Sequence, residues 1–100
     1  FLCALSAGGS ADAYRAEGYN HFPLRELLRP LEQTAILCGM RYLAPFALFG
    51  ARTAVEEGRV AQHLADWRKV LEGLRDDRVD LEAGSLAGCL NDDLTKVLAA

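Results

Sequence analysis

The chain opens on Phe1-Leu2-Cys3-Ala4-Leu5, apolar without alternation, and runs straight into Ser6-Ala7-Gly8-Gly9-Ser10. That junction constrains the fold more than any other feature. A strand with one wet face alternates apolar and polar residues. An unbroken apolar run bounded by glycines reads instead as a strand covered on both faces and feeding a loop. A second run, Tyr42 to Phe49, is closed by Gly50 and reads as a second strand. Pro45 inside it has no N–H to give, so its position must face an unpaired side or a bulge.

Residues 10 to 22 lack a period and read as an excursion loop. Pro23 suits the first position of a helix. Leu24, Leu27, Leu28, Leu31, Ala35 and Cys38 then form one apolar stripe, ended by Gly39. Pro30 interrupts the stripe and predicts a kink or two abutting helices. Thr53-Ala54-Val55-Glu56 has capping-box spacing. Behind it Val60, Leu64, Trp67, Leu71 and Leu74 draw one face of a long helix, with Trp67 in the core. Asp76-Asp77-Arg78 is a turn or helix end, Leu81 to Ala87 can be helical, and Asn91 can cap a last short helix through Leu94, Val97 and Leu98.

Strand, helix, strand, helix is the alternation of an α/β protein with a parallel sheet. Two parallel strands leave edges unpaired and faces uncovered. The one methionine is Met40, well inside the chain. The expectation is therefore that further strands upstream belong to the fold and that the chain is the remainder of something longer.

Composition narrows the function. Half the residues are apolar (51%) and a quarter charged (25%), which fits a globular domain and not a disordered one. Net charge is −3, with the acidic excess after Gly50, so no basic face for nucleic acid exists. The cysteines Cys3, Cys38 and Cys89 are odd in number and form no C-x-x-C pair. That argues against a disulfide framework and a zinc site, and for the reducing cytoplasm. Cys3 and Cys38 read as small buried residues, and Cys89 as an exposed residue in a soft segment. No apolar run approaches the roughly 20 residues of a membrane helix, and no basic flank marks a signal peptide.

Three segments, in order, carry a resemblance. They are Leu5-Ser6-Ala7-Gly8-Gly9-Ser10, the stretch Ala13-Tyr14 through Asn20-His21-Phe22-Pro23, and Leu28-Arg29-Pro30-Leu31 through Cys38-Gly39-Met40 to Tyr42-Leu43-Ala44-Pro45-Phe46. Together they resemble the flavodoxin-like NAD(P)H:quinone oxidoreductases, nearest to the ancillary flavoproteins of glutathione-gated potassium-efflux systems. The resemblance covers about residues 2 to 76. It implies the C-terminal part of a flavodoxin-like parallel sheet with flanking helices over 1–76, followed by a tail over 77–100 with a short helix. It further implies FMN rather than FAD, NAD(P)H as co-substrate, and a quinone or other small electrophile as acceptor. The complete protein would be a homodimer.

By the same resemblance, Ser6, Ala7, Gly8 and Gly9 stand where that family has a T-T-G-G loop beside the flavin. Ser6 shortens one side chain and Ala7 lacks a hydroxyl, so binding would rest on backbone N–H groups. Taken on the residues alone, an ordinary tight turn explains the loop as well. Tyr14 matches a pocket tyrosine able to donate to a flavin or quinone oxygen, or is simply an amphipathic loop residue. Asn20 stands where the quinone reductases have a histidine, and it can donate a hydrogen bond but not a proton. His21 reads as a surface residue, and His63 as a packed or interface residue. Three functions compete: an oxidoreductase fragment inactive alone, a regulatory subunit of a potassium-efflux antiporter, peripheral at the inner membrane face, and an incomplete product without activity.

Overall fold

The computed structural model describes residues 1–99; the expected tail's last residue, Ala100, lies outside them. Two short strands, β1 (Ala4–Ser6) and β2 (Phe46–Leu48), pair in parallel. Ala4 lies opposite Phe46, Leu5 opposite Ala47 and Ser6 opposite Leu48. The helices are α1 (Leu24–Leu27), α2 (Arg29–Leu37), α3 (Ala51–Ala54), α4 (Val60–Arg75) and α5 (Leu81–Leu86). This is the expected α/β alternation, with helices on both faces of the sheet.

The strands are shorter and shifted relative to the sequence reading. Pairing of β1 begins at Ala4 and not at Phe1, although Leu43 N–H still donates to Phe1 O and Phe46 N–H to Cys3 O. Two steps along the first segment (Phe1 to Cys3) thus face three along the second (Leu43 to Phe46). One extra residue at Ala44–Pro45 bulges, which is how the sheet accommodates a residue with no N–H. The β2 ladder accordingly starts after Pro45. Ala4 and Ser6 are exposed, so β1 is not covered on both faces among the described residues.

One face of the sheet receives α4. Trp67 and His63 lie over Phe46, with ring centroids 5.0 and 4.8 Å away, and Val70 is fully buried beside them. The other face packs Leu5 and Ala47 against Leu24 and Leu28. Between α1 and α2 the chain breaks at Leu28, and Pro30 sits in the first turn of α2, giving the expected abutting helices. Gly39 takes a left-handed φ of 70° and ends α2, while Met40 N–H returns to Ala35 O. The stripe itself is only partly inward: Leu27, Leu31 and Cys38 are exposed.

Thr53 does not cap the long helix. Its hydroxyl bonds to Glu57 Oε1 at 3.1 Å, linking α3 to the turn after it. Gly58, at φ 70°, then breaks the chain before α4 begins. The helix start is tied instead by Arg59, whose guanidinium donates to Phe49 O and Gly50 O, both at 2.8 Å.

The segment after Asp76 straddles the outer edge of β2. Leu90 and Val97 join the α4-side core, and Cys89 packs on the α1 side. Ala44 N–H donates to Gly84 O and Leu90 N–H to Pro45 O. Asn91 does not cap a helix. Its side-chain amide takes Ala47 N–H at 3.0 Å and gives to Ala47 O at 2.8 Å, imitating one residue of a neighbouring strand. Asp80 caps α5 by accepting from Ala83 N–H, as expected for a helix there. Two single 3-10 turns, Leu90–Asp92 and Leu94–Lys96, take the place of the expected last helix.

Candidate functional site

The loop after β1 sits at the C-terminal end of a parallel strand, the end where open α/β sheets bind ligands. It is pinned at alternate residues. Ala7 N–H donates to Leu48 O at 2.9 Å, Ala7 O accepts from Ala51 N–H, and Gly9 O accepts from Gly50 N–H at 2.8 Å. Ser6 and Gly8 are exposed and Ala7 is buried. Among the described residues, the N–H groups of Gly8, Gly9 and Ser10 donate to nothing in the chain. The loop, pinned through Ala7 and Gly9, thus carries consecutive N–H donors without a partner among the described residues.

The two glycines differ. A Cβ on Gly8 would meet nothing within 4 Å. A Cβ on Gly9 would lie 3.2 Å from Tyr14 Cε2 and 3.3 Å from Ala13 Cβ. The structure therefore brings Gly9 and Tyr14 together. Tyr14 is held by its N–H to Ala11 O and by Phe49, whose ring centroid is 5.4 Å from its own. Its hydroxyl has no hydrogen-bond partner among the described residues. Asn20 is half-buried, and its N–H donates to Ala13 O, which closes the excursion loop one residue before Tyr14. Its side-chain amide makes no bond among the described residues. His21 lies exposed at φ 65°.

Beyond Tyr14 lies a cavity of about 200 Å³ that the sequence reading missed, bounded by Leu24, Arg25, Phe49, Cys89 and Asp92. Arg25 crosses it to donate to Ala87 O at 2.6 Å. Cys89 is buried, not exposed. Desolvation, with Asp92 adding to it and Arg25 opposing, pushes its thiol up to about 11, so it is no nucleophile at neutral pH. The signal for this wall was weak: a Gly88-Cys89 pair in a segment without periodicity. On the other side of the loop a depression of about 270 Å³ is bounded by Ser10, Thr53, Glu57 and Arg59. Arg59 is already paired with Glu57 at 2.8 Å, so its charge is not free for an anion.

The arrangement offers a flat, open glycine at Gly8, three free N–H donors and a phenol beside them. These suit the polar edge of a planar heteroaromatic ring whose carbonyl and nitrogen atoms gain negative charge on reduction. The donor set fits the ring of a flavin, while the loop leaves no evident cradle for its phosphate.

A model of the family described as having a flavodoxin-like fold matches residues 1–71. The general stress protein 14 of Bacillus subtilis is 38% identical over 68 residues, 66% of this chain and 39% of that protein. The glutathione-regulated potassium-efflux system ancillary protein KefG of Yersinia enterocolitica is 38% identical over 65 residues, 63% of this chain and 35% of its own length. The KefG of Serratia proteamaculans is 42% identical over 48 residues, 48% of this chain and 26% of its own length. The chain thus spans well under half of the curated relatives it matches. No solved structure matches it significantly.

Proposed function

Because the chain belongs to the family with the flavodoxin-like fold, we propose that it forms one wall of an FMN site in an NAD(P)H-dependent oxidoreductase acting on quinones or similar small electrophiles. One observation carries the reading: the free N–H groups of Gly8, Gly9 and Ser10 at the C-terminal end of a parallel strand. When bound, the flavin supplies two-electron transfer between NAD(P)H and the acceptor. The chain's own residues do the rest. Gly8 and Gly9 let the backbone approach the ring, and their N–H groups hold charge at its polar edge. Ser6 and Ala7 fix the loop to β1, with Ala7 anchored through Leu48. Tyr14 donates a hydrogen bond to an acceptor oxygen as charge develops there, and Asn20 orients without delivering a proton.

Among the described residues no second glycine- or serine-rich loop stands ready to hold the phosphate, so the chain by itself would hold FMN weakly and be inactive. In the complete protein the site would lie in a cytoplasmic homodimer. A second reading is supported by the names of the relatives: a binding subunit of a potassium-efflux antiporter, for which no redox step is needed. No helix among the described residues is long and apolar enough to cross a membrane.

Titrating FMN to roughly millimolar levels into isotope-labelled chain tests the first reading. Amide shifts confined to Gly8, Gly9, Ser10 and Tyr14 are expected, with no flavin band surviving desalting. Silence at those amides, or shifts elsewhere only, overturns the pocket. A stoichiometric band after desalting overturns the incompleteness. Retention of antiporter cytoplasmic domains by the immobilised chain, unaffected by FMN, would favour the second reading.

A further inference from the structure

The cavity behind Tyr14 is walled by segments packed around the end of β2: the excursion loop, the start of α1 with Leu24 and Arg25, Phe49, and the C-terminal segment with Cys89 and Asp92. Long-range bonds hold these walls in place. Arg25 donates to Ala87 O at 2.6 Å, and Asn91 grips both backbone groups of Ala47. None of the walls depends on what flanks β1 on its far side. The C-terminal wall lies past residue 71, where the family match ends.

The lining divides into an apolar body and a charged rim. Leu24 and Cys89 are buried, and the rings of Tyr14 and Phe49 stand 5.4 Å apart, tilted by 43°. At the rim, Asp92 Oδ2 accepts from Cys89 N–H at 2.9 Å, while Oδ1 accepts from nothing among the described residues. Arg25 is tempered by Glu32, whose Oε1 lies 3.7 Å from its Nε. The charge left uncompensated is therefore that of Asp92, which repels anions. Asp92 is also exposed, so water screens its attraction for a cation, while an ammonium group brought against Leu24 and Phe49 loses its hydration. A neutral ring bearing a hydroxyl meets neither penalty. Size sets the other limit. An apolar cavity of about 150 Å³ takes a benzene. At about 200 Å³ this one has room for a single six-membered ring with a small substituent, and none for the fused rings of a flavin.

We propose that this cavity binds a neutral single-ring phenol, its ring against Leu24 and Phe49 and its hydroxyl donating to Asp92. Tyr14 stands between the cavity and Gly9 and closes it on that side. Binding needs no flavin. Only the ligand's role rests on the flavin reading: there it is the two-electron, two-proton product of a one-ring quinone, which narrows the acceptor to uncharged quinones of that size.

Phenol is titrated into the isotope-labelled chain without FMN, with benzoate, benzylamine and 2-naphthol as comparisons. Saturable amide shifts at Leu24, Phe49 and Cys89 are expected for phenol, with a Kd on the order of 1–10 mM, and binding roughly fivefold weaker or less for the other three. Asp92→Asn keeps an oxygen for Cys89 N–H and removes the charge, so benzoate should gain several-fold while phenol changes little. Ala11→Leu, at an exposed position on the cavity wall, should fill the space and abolish the phenol shifts in a spectrum that stays dispersed. No saturable shift at Leu24, Phe49 and Cys89, equal affinity for phenol and any of the other three, or an Ala11→Leu chain that binds phenol unchanged would each overturn the site. The four probes decide on the unaltered chain even if a variant fails to fold. FMN shifts at Gly8 to Ser10 without phenol shifts sink the cavity alone, and phenol shifts without FMN shifts sink the flavin reading alone.

Discussion

Gly9 and Gly8 show how neighbours with one side-chain type carry different duties. Gly9→Val puts branched carbon against Tyr14 and Ala13, where a single Cβ already stands 3.2 Å from the phenol ring. Tyr14 should rotate away, and the FMN-induced amide shifts should fall several-fold or vanish. Gly8→Ala meets open space, so melting temperature should hold while flavin approach is blocked. Equal effects of both changes on stability, read by thermal melting, would contradict this division. Gly18 is a third case: a Cβ there would run into the carbonyl oxygens of Asp12 and Ala13, so Gly18→Ala should displace the whole excursion loop. Titration at residue scale has a definite sign. Burial against Phe46 pushes the His63 imidazole below its ordinary value, with Asp66 opposing. The unfolded chain then binds the proton more readily, so stability should fall as pH drops through about 6.5. For Cys89 the folded thiol ionises near 11, above its ordinary value of 9.0. Stability should therefore also decline as pH rises from about 9 toward 11. Urea midpoints at pH 5 and 7.5 check the first limb, and the difference should shrink in His63→Gln.

At the scale of elements, the closure of β2 is the feature with the sharpest consequence. Asn91→Ala strands Ala47 N–H and C=O at a part-buried position, which costs on the order of 1–3 kcal/mol. Asn91→Asp should cost at least as much, since it loses the donor and sets a negative charge beside a carbonyl. Chemical denaturation of the two variants measures both. Much of the element order was legible. Unbroken apolar runs announced the parallel strands, Pro30 the break between α1 and α2, Gly39 the stop, and the Trp67 stripe the long helix. The misreadings share a cause. Local chemistry suggested one environment for Thr53, Cys89 and Asn91, whereas contacts far along the chain set another. A capping-box spacing cannot reveal that Gly58 breaks the helix it would cap. Likewise an Asn before Asp looks like a cap until a strand edge some forty residues back claims its amide. In the site, Gly9 and Tyr14 entered the reading through the family resemblance and not through any pattern of their own, while the Cys89 wall was missed, because it arrives from a segment with no period.

For the molecule as a whole, likeness and packing draw different boundaries. The family model ends at residue 71, yet Leu90 and Val97, 1% and 2% exposed, lie in the same core as Phe46 and Val70. Ending the chain at Asp76 removes the buried Cys89 together with Leu90 and Val97, the last two worth roughly 1.5–3 kcal/mol each, and the bonds to Ala44, Pro45 and Ala47. Against a small domain's net stability of about 5–15 kcal/mol, that loss should abolish cooperative melting, which calorimetry would register. The position of β2 has one more consequence, in time. It lies mid-chain and takes every ladder bond from segments roughly forty residues away on either side, β1 before it and the Asn91 segment after it. Helices α2 and α4 can form within microseconds from neighbouring residues. The sheet has to wait for two long loop closures that meet on the same three residues. Refolding should therefore be far slower than the helical content suggests, in milliseconds or longer, with circular dichroism recovering before Trp67 reaches its final fluorescence over Phe46.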